Sequence, residues 1–245
     1  MSVIAVKLAY DGGKFFGSQI QKDKVTVEGE LNKFFECRLL SRTDRGVSAL
    51  GNVLFTEEEI NLRRYSFDRI WLYGKSSSWK KPFKKKYSYF LSSDLDIDRI
   101  KEACSLLSGK HDFYNFCKKD RTKKLDYIKE IEINPYIGEC IRLDFTGESF
   151  LWEMVRRLTN AIISVGKGEM EIEDLKDMLK KRTEKKIPPA PPEYLLLVDI
   201  EGFEFTYDEY MLRKIEKYFE NMYRDAFLKK NIFSYSLNFL RGTYV

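Results

Sequence analysis

The sequence predicts an α+β fold, with helices packed on one face of a largely antiparallel sheet. Two observations carry this expectation. Runs in which apolar residues alternate with a period of two recur from the N-terminus onward, and one pair of them is close enough to form a hairpin. Between these runs lie two or three long segments whose apolar residues recur every three or four positions instead. With 245 residues, 43% apolar and 33% charged, the chain can bury one large core or two closely packed lobes.

The elements follow in order. Val3 to Tyr10 alternates, with Val3, Ala5 and Lys7 on one side and Ile4, Val6, Leu8 and Tyr10 on the other, and reads as a strand turned by "DGG". "TVEGELNKFFE" reads as an amphipathic helix capped by Thr26, with Val27, Leu31, Phe34 and Phe35 facing inward. "RLLSRTD" and "GNVLFTE" read as two strands around a turn at Gly46, and "KKYSYFLS", residues 85 to 92, as another strand. "DIDRIKEACSLLSG" is a helix stopped by Gly109, and "DYIKEIEINPYI" with "ECIRLDFTG" forms an antiparallel pair. "SFLWEMVRRLTNAIISVGKG" is the longest clear helix, burying Leu151, Met154, Val155, Leu158 and Ile162 while Arg156 and Arg157 fall off that stripe. Its "VGKGE" end is too short for a phosphate-binding loop and reads as a glycine C-cap. A proline-broken loop, "IPPAPPEY", leads into a strand, residues 207 to 230 form a charged amphipathic helix, and the last fifteen residues carry no clear pattern.

Composition excludes several chemistries. Cys37, Cys104, Cys117 and Cys140 lie far apart, without the paired spacing of zinc sites, and His111 is the single histidine. A cysteine or serine nucleophile therefore has no base partner unless His111 serves. The N-terminus lacks the apolar core of a signal peptide and no run of about 18 apolar residues spans a membrane. A reducing cytoplasm is the expected setting. The net charge of +5 tilts toward a polyanionic partner but fits a solvated lysine-rich surface equally well.

Chemistry concentrates in "SRTDRG". In an extended strand Arg42 and Asp44, two residues apart, project to one face, so the guanidinium would hold and orient the carboxylate, with Gly46 turning the chain just beyond. An exposed surface pair worth at most about 1 kcal/mol is the plainer account. "SSSWKKPFKKKYSYF" threads five lysines, Lys84, Lys85 and Lys86 among them, between Trp79, Phe83, Tyr87 and Tyr89. Such a stretch suits phosphates and stacked bases, or an edge strand guarded by lysines. "KKDRTKK" at residue 118 and "KKRTEKK" at residue 180 are basic loops, and His111 beside Asp112 is more often a local hydrogen-bond organiser than a dyad. One echo is internal. "LAYDGGKFF" and "LDFTGESFL" share Leu, an aromatic, Gly and Phe at the same offsets, either by chance or because two related halves meet around one sheet.

Taken in order, "YDG", "FFGSQIQ" with "TVEGEL", "SRTDRGVSALGNV", "KKYSY", "GKHDFYNF", "FLWEMVRRLTNAIISVGKG" and "PPAPPEYLLLVDI" resemble the TruA family of tRNA pseudouridine synthases. The resemblance spans most of the chain. It implies two similar α/β lobes, residues 1–92 and 93–245, joined in one extended, mostly antiparallel sheet with a central basic cleft. It implies a homodimer that isomerises uridine to pseudouridine in the anticodon stem-loop of tRNA, at positions 38–40, without metal or organic cofactor. Asp44 would be the essential carboxylate, attacking either uracil C6 or the ribose anomeric carbon. Arg42 would pair with it and help fill the space left by a flipped base. Arg156 would supply a second positive charge, Tyr87 (or Tyr89, two residues on) would stack on the target uracil, and Leu195 would close the pocket. The sequence departs from the family pattern at Ser18, where Trp is usual, and at Ser41, Arg45, Asn52 and Tyr194, and the loops before the signature and before "KKYSY" are shortened. A non-catalytic RNA-binding or RNA-folding protein on the same scaffold is the rival reading.

Overall fold

The computed structural model describes residues 3–119, 125–183 and 187–241. Its elements alternate as the periodicities require. Strand β1 (Ile4–Tyr10) leads to helix α1 (Val27–Leu31) and strands β2 (Arg38–Leu39), β3 (Ser48–Thr56), β4 (Ile70–Ser76) and β5 (Trp79–Leu91). Helix α2 (Ile97–Leu107) precedes β6 (Gly109–Asp112), β7 (Ile128–Ile137) and β8 (Ile141–Gly147). Helices α3 (Met154–Gly166) and α4 (Ile172–Lys180), strands β9 (Leu195–Phe203) and β10 (Thr206–Tyr207), and helix α5 (Glu209–Leu240) complete the chain.

The strands form one ten-stranded sheet in the order β10-β4-β1-β3-β9-β5-β8-β7-β6, with β2 paired to β3. Every pairing is antiparallel except β3 with β9. The α+β expectation holds. The C-terminal part of β5 lies inside the sheet, between β9 and β8, so Lys85 and Lys86 do not guard an edge, whereas Lys80, Lys81 and Lys84 extend beyond β8. Tyr87 pairs with Phe145 on one side and Leu197 on the other, and Tyr89 with Leu143 and Leu195.

Helix ends are set by local chemistry. Thr26 caps α1 by accepting the Gly29 N–H at 3.2 Å, and the Asp96 carboxylate accepts the amides of Asp98 and Arg99 at the start of α2. α1 stops at Leu31, earlier than its sequence suggests. Phe34 therefore escapes the buried stripe, 55% exposed and edge-on to Tyr65 and Phe67, while Phe35 stays buried. α3 buries Met154, Val155, Leu158 and Ile162 as expected, whereas Leu151 precedes the helix and is only half-buried. Its C-terminus closes where expected, at Gly168 with φ +73°. No described helix is long and apolar enough to cross a membrane.

Candidate active site

The "SRTDRG" segment is a loop. After β2 the Leu40 N–H still donates to the Val53 carbonyl at 2.8 Å, and then side chains replace the ladder. Ser41 N–H donates to Asn52 Oδ1 at 3.3 Å, and Asn52 Nδ2 donates to the Ser41 carbonyl at 2.9 Å and to Tyr10 Oη at 3.1 Å. Tyr10 Oη meets Thr43 Oγ1 at 2.9 Å, and the Thr43 N–H donates to Ser18 Oγ at 2.8 Å. Ser18, Ser41, Thr43 and Asn52 are all buried, so these bonds satisfy polar groups that would otherwise be costly. Asp44 then opens a tight turn, its carbonyl accepting the Val47 N–H at 3.1 Å, and Gly46 takes φ +84° within it. The turn rests on Gly12, where a Cβ would stand 2.1 Å from the Val47 carbonyl oxygen.

The carboxylate at this turn is held from the far side of the molecule. Arg156 Nη1 donates to Asp44 Oδ2 at 2.9 Å, while Arg156 Nε donates to the Ala190 carbonyl at 2.7 Å. The Ala190 N–H closes the circuit on the Arg156 carbonyl at 3.0 Å. The first turn of α3 thus locks the proline-rich loop and Asp44 together. Asp44 Oδ1 has no hydrogen-bond partner among the described residues, and the Asp44 side chain keeps 23% of its surface exposed. The guanidinium on Asp44 is therefore that of Arg156, 112 positions away in sequence. Arg42 is exposed and makes no ion pair with Asp44; outside a strand, a two-residue spacing no longer puts both side chains on one face.

Tyr87 is joined to the same loop. Its hydroxyl meets Ser41 Oγ at 2.8 Å, and its ring packs edge-on against Phe150 at 5.3 Å. Burial pushes the phenol up to about 12, with the Asp44 charge adding to the rise, so Tyr87 is a neutral hydrogen-bonding group near pH 7. Tyr89 is fully buried, donates to the Pro191 carbonyl at 2.8 Å, and faces the exposed Tyr194 ring at 6.4 Å. Leu195 is buried opposite Tyr89.

The three lysines separate by strand alternation. Lys85 shares a face with Tyr87 and Tyr89, whereas Lys84 and Lys86 point to the other side of the sheet, with Lys86 3.8 Å from the buried Asp144. Lys85 lines an open groove of about 500 Å³ with Leu40, Lys81, Phe83 and Glu148. Its pKa is lowered by burial, and further by the Arg42 charge.

Other candidates disperse. His111 Nε2 bonds the Ser108 carbonyl at 2.8 Å, and Asp112 pairs with Arg182 at 2.8 Å, so the two form no dyad. Burial raises the thiol pKa of Cys37 and Cys104 to about 12 and of Cys117 to about 11, which makes them poor nucleophiles. Residues 120–124 and 184–186 of the basic loops lie outside the described residues. The sequence reading missed the Ala190 carbonyl and Phe150 as parts of the site. It noted Ser18, Ser41 and Asn52 only as departures, yet all three belong to the hydrogen-bond network behind Asp44 and Tyr87.

The chain is similar to known proteins over most of its length. A family model described as tRNA pseudouridine synthase matches residues 103–201, which include Arg156 and Leu195. The chain is 36% identical to tRNA pseudouridine synthase A of Thermococcus sibiricus, over 94% of this chain and 96% of that one. It is 37% identical to the Pyrococcus abyssi protein of that name, over 92% and 95%. The Methanocaldococcus jannaschii protein of the same name is 33% identical over 96% and 99%. With likeness at this level across nearly the whole length, and a carboxylate, an arginine and a tyrosine gathered at one loop, the chain belongs to the tRNA pseudouridine synthase A family.

Proposed function

We propose that the chain isomerises uridine to pseudouridine in tRNA, within the anticodon stem-loop, with Asp44 as the nucleophile. The reaction breaks the bond between uracil N1 and ribose C1′, turns the base, joins C5 to C1′, and moves the C5 hydrogen off while N1 gains a proton. Nothing enters or leaves the sum, so the site needs a nucleophile, a grip on the base and a charge environment rather than an external reagent. The observation that carries the reading is the Asp44 carboxylate, with one oxygen fixed by Arg156 and the other without a hydrogen-bond partner among the described residues, on the loop whose Ser41 hydroxyl meets Tyr87. Attack on C6 and attack on C1′ both use that free oxygen. A pre-oriented carboxylate lowers the entropic part of the barrier.

Tyr87 supports the target uracil, Leu195 closes the pocket below it, and Lys85 meets the phosphate backbone from the same face of the sheet. Arg42, exposed beside Asp44, fills the stack when the uridine flips out, a step that costs a few kcal/mol. Resemblance to the family supports a homodimer and the anticodon stem-loop as substrate, and a tRNA substrate supports a cytoplasmic setting.

The test uses a mixed pool of unmodified tRNA. Because isomerisation adds no mass, pseudouridine is detected by carbodiimide labelling and read out by site. Wild-type chain is expected to label uridines of the anticodon stem-loop, and Asp44→Asn is expected to give background labelling while retaining tRNA binding. Binding by the wild type without any label would instead favour an RNA-binding protein on this scaffold, and an active Asp44→Asn variant would remove Asp44 from the nucleophile's role.

A further inference from the structure

Trp152 is the one exposed tryptophan of the three, with 49% of its surface open, whereas Trp71 and Trp79 are half-buried. It lies two residues after Phe150, which packs on Tyr87, and four before Arg156, which holds Asp44. A large ring at that rim would ordinarily be tucked into the core. Here it is clamped in the open. The Lys118 N–H donates to the Trp152 carbonyl at 2.8 Å, and the Lys118 ammonium stands 3.9 Å from the indole centroid. Glu153, the next residue, adopts a left-handed backbone (φ 59°), and its carboxylate is gripped by Arg157 at 2.6 Å and approached by Lys118 at 3.8 Å. Arg157 in turn donates to the Ile187 carbonyl. A strained corner held from both sides fixes the ring's position; such strain persists only where the surroundings enforce it.

The neighbouring surface repeats the pattern. The Lys119 ammonium lies 3.6 Å from the Tyr114 centroid, and the Arg182 guanidinium 4.6 Å from the same ring. Consecutive lysines therefore each back an aromatic ring, the Tyr114 ring being half-buried and packed also against Tyr127. Exposed cation–ring pairs alone contribute only about 0.5–1 kcal/mol. Cations interleaved with open aromatic faces are the chemistry that takes single-stranded nucleic acid, the charges meeting phosphate and the rings meeting bases. A protein partner would call for contiguous apolar surface, whereas Trp152 is covered by the Lys118 ammonium and followed by the charged Glu153–Arg157 pair.

We propose that Trp152, backed by Lys118, is a stacking subsite for one unpaired base of the tRNA loop flanking the target uridine. This deepens the proposed function and rests on it. Once the target base has left the stack, its neighbour needs a new surface, and a fixed indole at the rim supplies one without discriminating strongly among bases.

The test compares wild type, Trp152→Phe and Trp152→Ala on an unmodified anticodon stem-loop RNA. Tryptophan emission should be quenched by RNA in the wild type, and that quenching should vanish in Trp152→Phe, where Trp71 and Trp79 remain. Trp152→Ala should bind about tenfold or more weakly, and Trp152→Phe within a few-fold of wild type. An abasic scan supplies the readout that a merely structural role would not move. At one flanking nucleotide, removing the base should weaken the wild type and leave Trp152→Ala unaffected. Equal binding by Trp152→Ala and wild type, quenching unchanged in Trp152→Phe, or no abasic position that removes the difference would overturn the subsite. Absence of pseudouridine formation by the wild type would instead overturn the functional reading beneath it.

Discussion

Ser18, Ser41 and Asn52 do for the loop around Asp44 what backbone pairing does for a strand. Each contributes a hydroxyl or amide to a buried chain of bonds running from Ser18 through Thr43 and Tyr10 to Asn52, with the Ser41 hydroxyl then reaching Tyr87. Ser41→Ala would leave the Tyr87 hydroxyl unpaired in a buried site, at a cost of about 1–3 kcal/mol. A thermal melt should show a drop of several degrees, and adding Tyr87→Phe should recover part of it, because both partners are then apolar. An equal drop in Ser41→Ala and in the double variant would mean the hydroxyls do not act as a pair. Lys85 carries the opposite trade. Burial, reinforced by Arg42, lowers its pKa from 10.5, so the folded protein binds a proton there less tightly than the unfolded chain. That penalty is full below the lowered pKa and is gone once pH passes about 10.5. Lys85→Gln should therefore melt higher than wild type at pH 7, converge with it toward pH 10.5, and bind tRNA more weakly. The residue types at the site could be read from sequence. Their partners could not, because Arg156 and Asp44 meet only through the tertiary fold.

At the scale of elements, α3 ties the site together. Its buried stripe was readable because Met154, Val155, Leu158 and Ile162 keep helical spacing, and Arg156 falls beside that stripe, where its fork reaches both Asp44 and the Ala190 carbonyl. A lysine there cannot make both bonds. Arg156→Lys should leave the circular dichroism unchanged and slow single-turnover pseudouridine formation about a hundredfold, the order expected when a catalytic group is misplaced by about 1 Å. A near-wild-type rate would show that charge alone suffices. Short elements were less legible. α4 spans nine residues and buries only Leu175 and Met178, too few to register as a stripe, and β2 is a two-residue strand. α5 runs ten residues beyond its sequence-based limit at residue 230, and every residue from Glu220 to Arg241 is exposed. Apolar residues such as Tyr223, Leu228 and Ile232 lie all around that distal half, so no single stripe marks it as helical.

Across the whole molecule the internal echo acquires a place. β1 and β8, which carry its two copies, each lie second from β9 in the sheet, one on either side. Phe15, in the first copy, accepts the Gly46 N–H through its carbonyl at 3.4 Å, and Phe150, in the second, packs on Tyr87. The repeated corners thus flank the candidate site from two sides. Spacing leaves that relation open, and the strand order adds that β9 lies midway between the two strands. That order has a consequence for folding. β5, the last strand of residues 1–92, pairs over its C-terminal part with β8 and β9, both from the later segment, and β3 pairs with β9 as well. β10 and α5 return to pack on β4, where Trp71 meets Tyr218 at 4.7 Å. A fragment of residues 1–92 would keep the β4–β1–β3 pairings but leave both edges of β5 unpaired and Tyr87 without Phe150. It should show no cooperative thermal transition alone, and should gain one on mixing with residues 93–245. A cooperative melt of the isolated fragment would mean that the two lobes are independent folding units, and that the site is assembled by docking rather than by shared strand pairing.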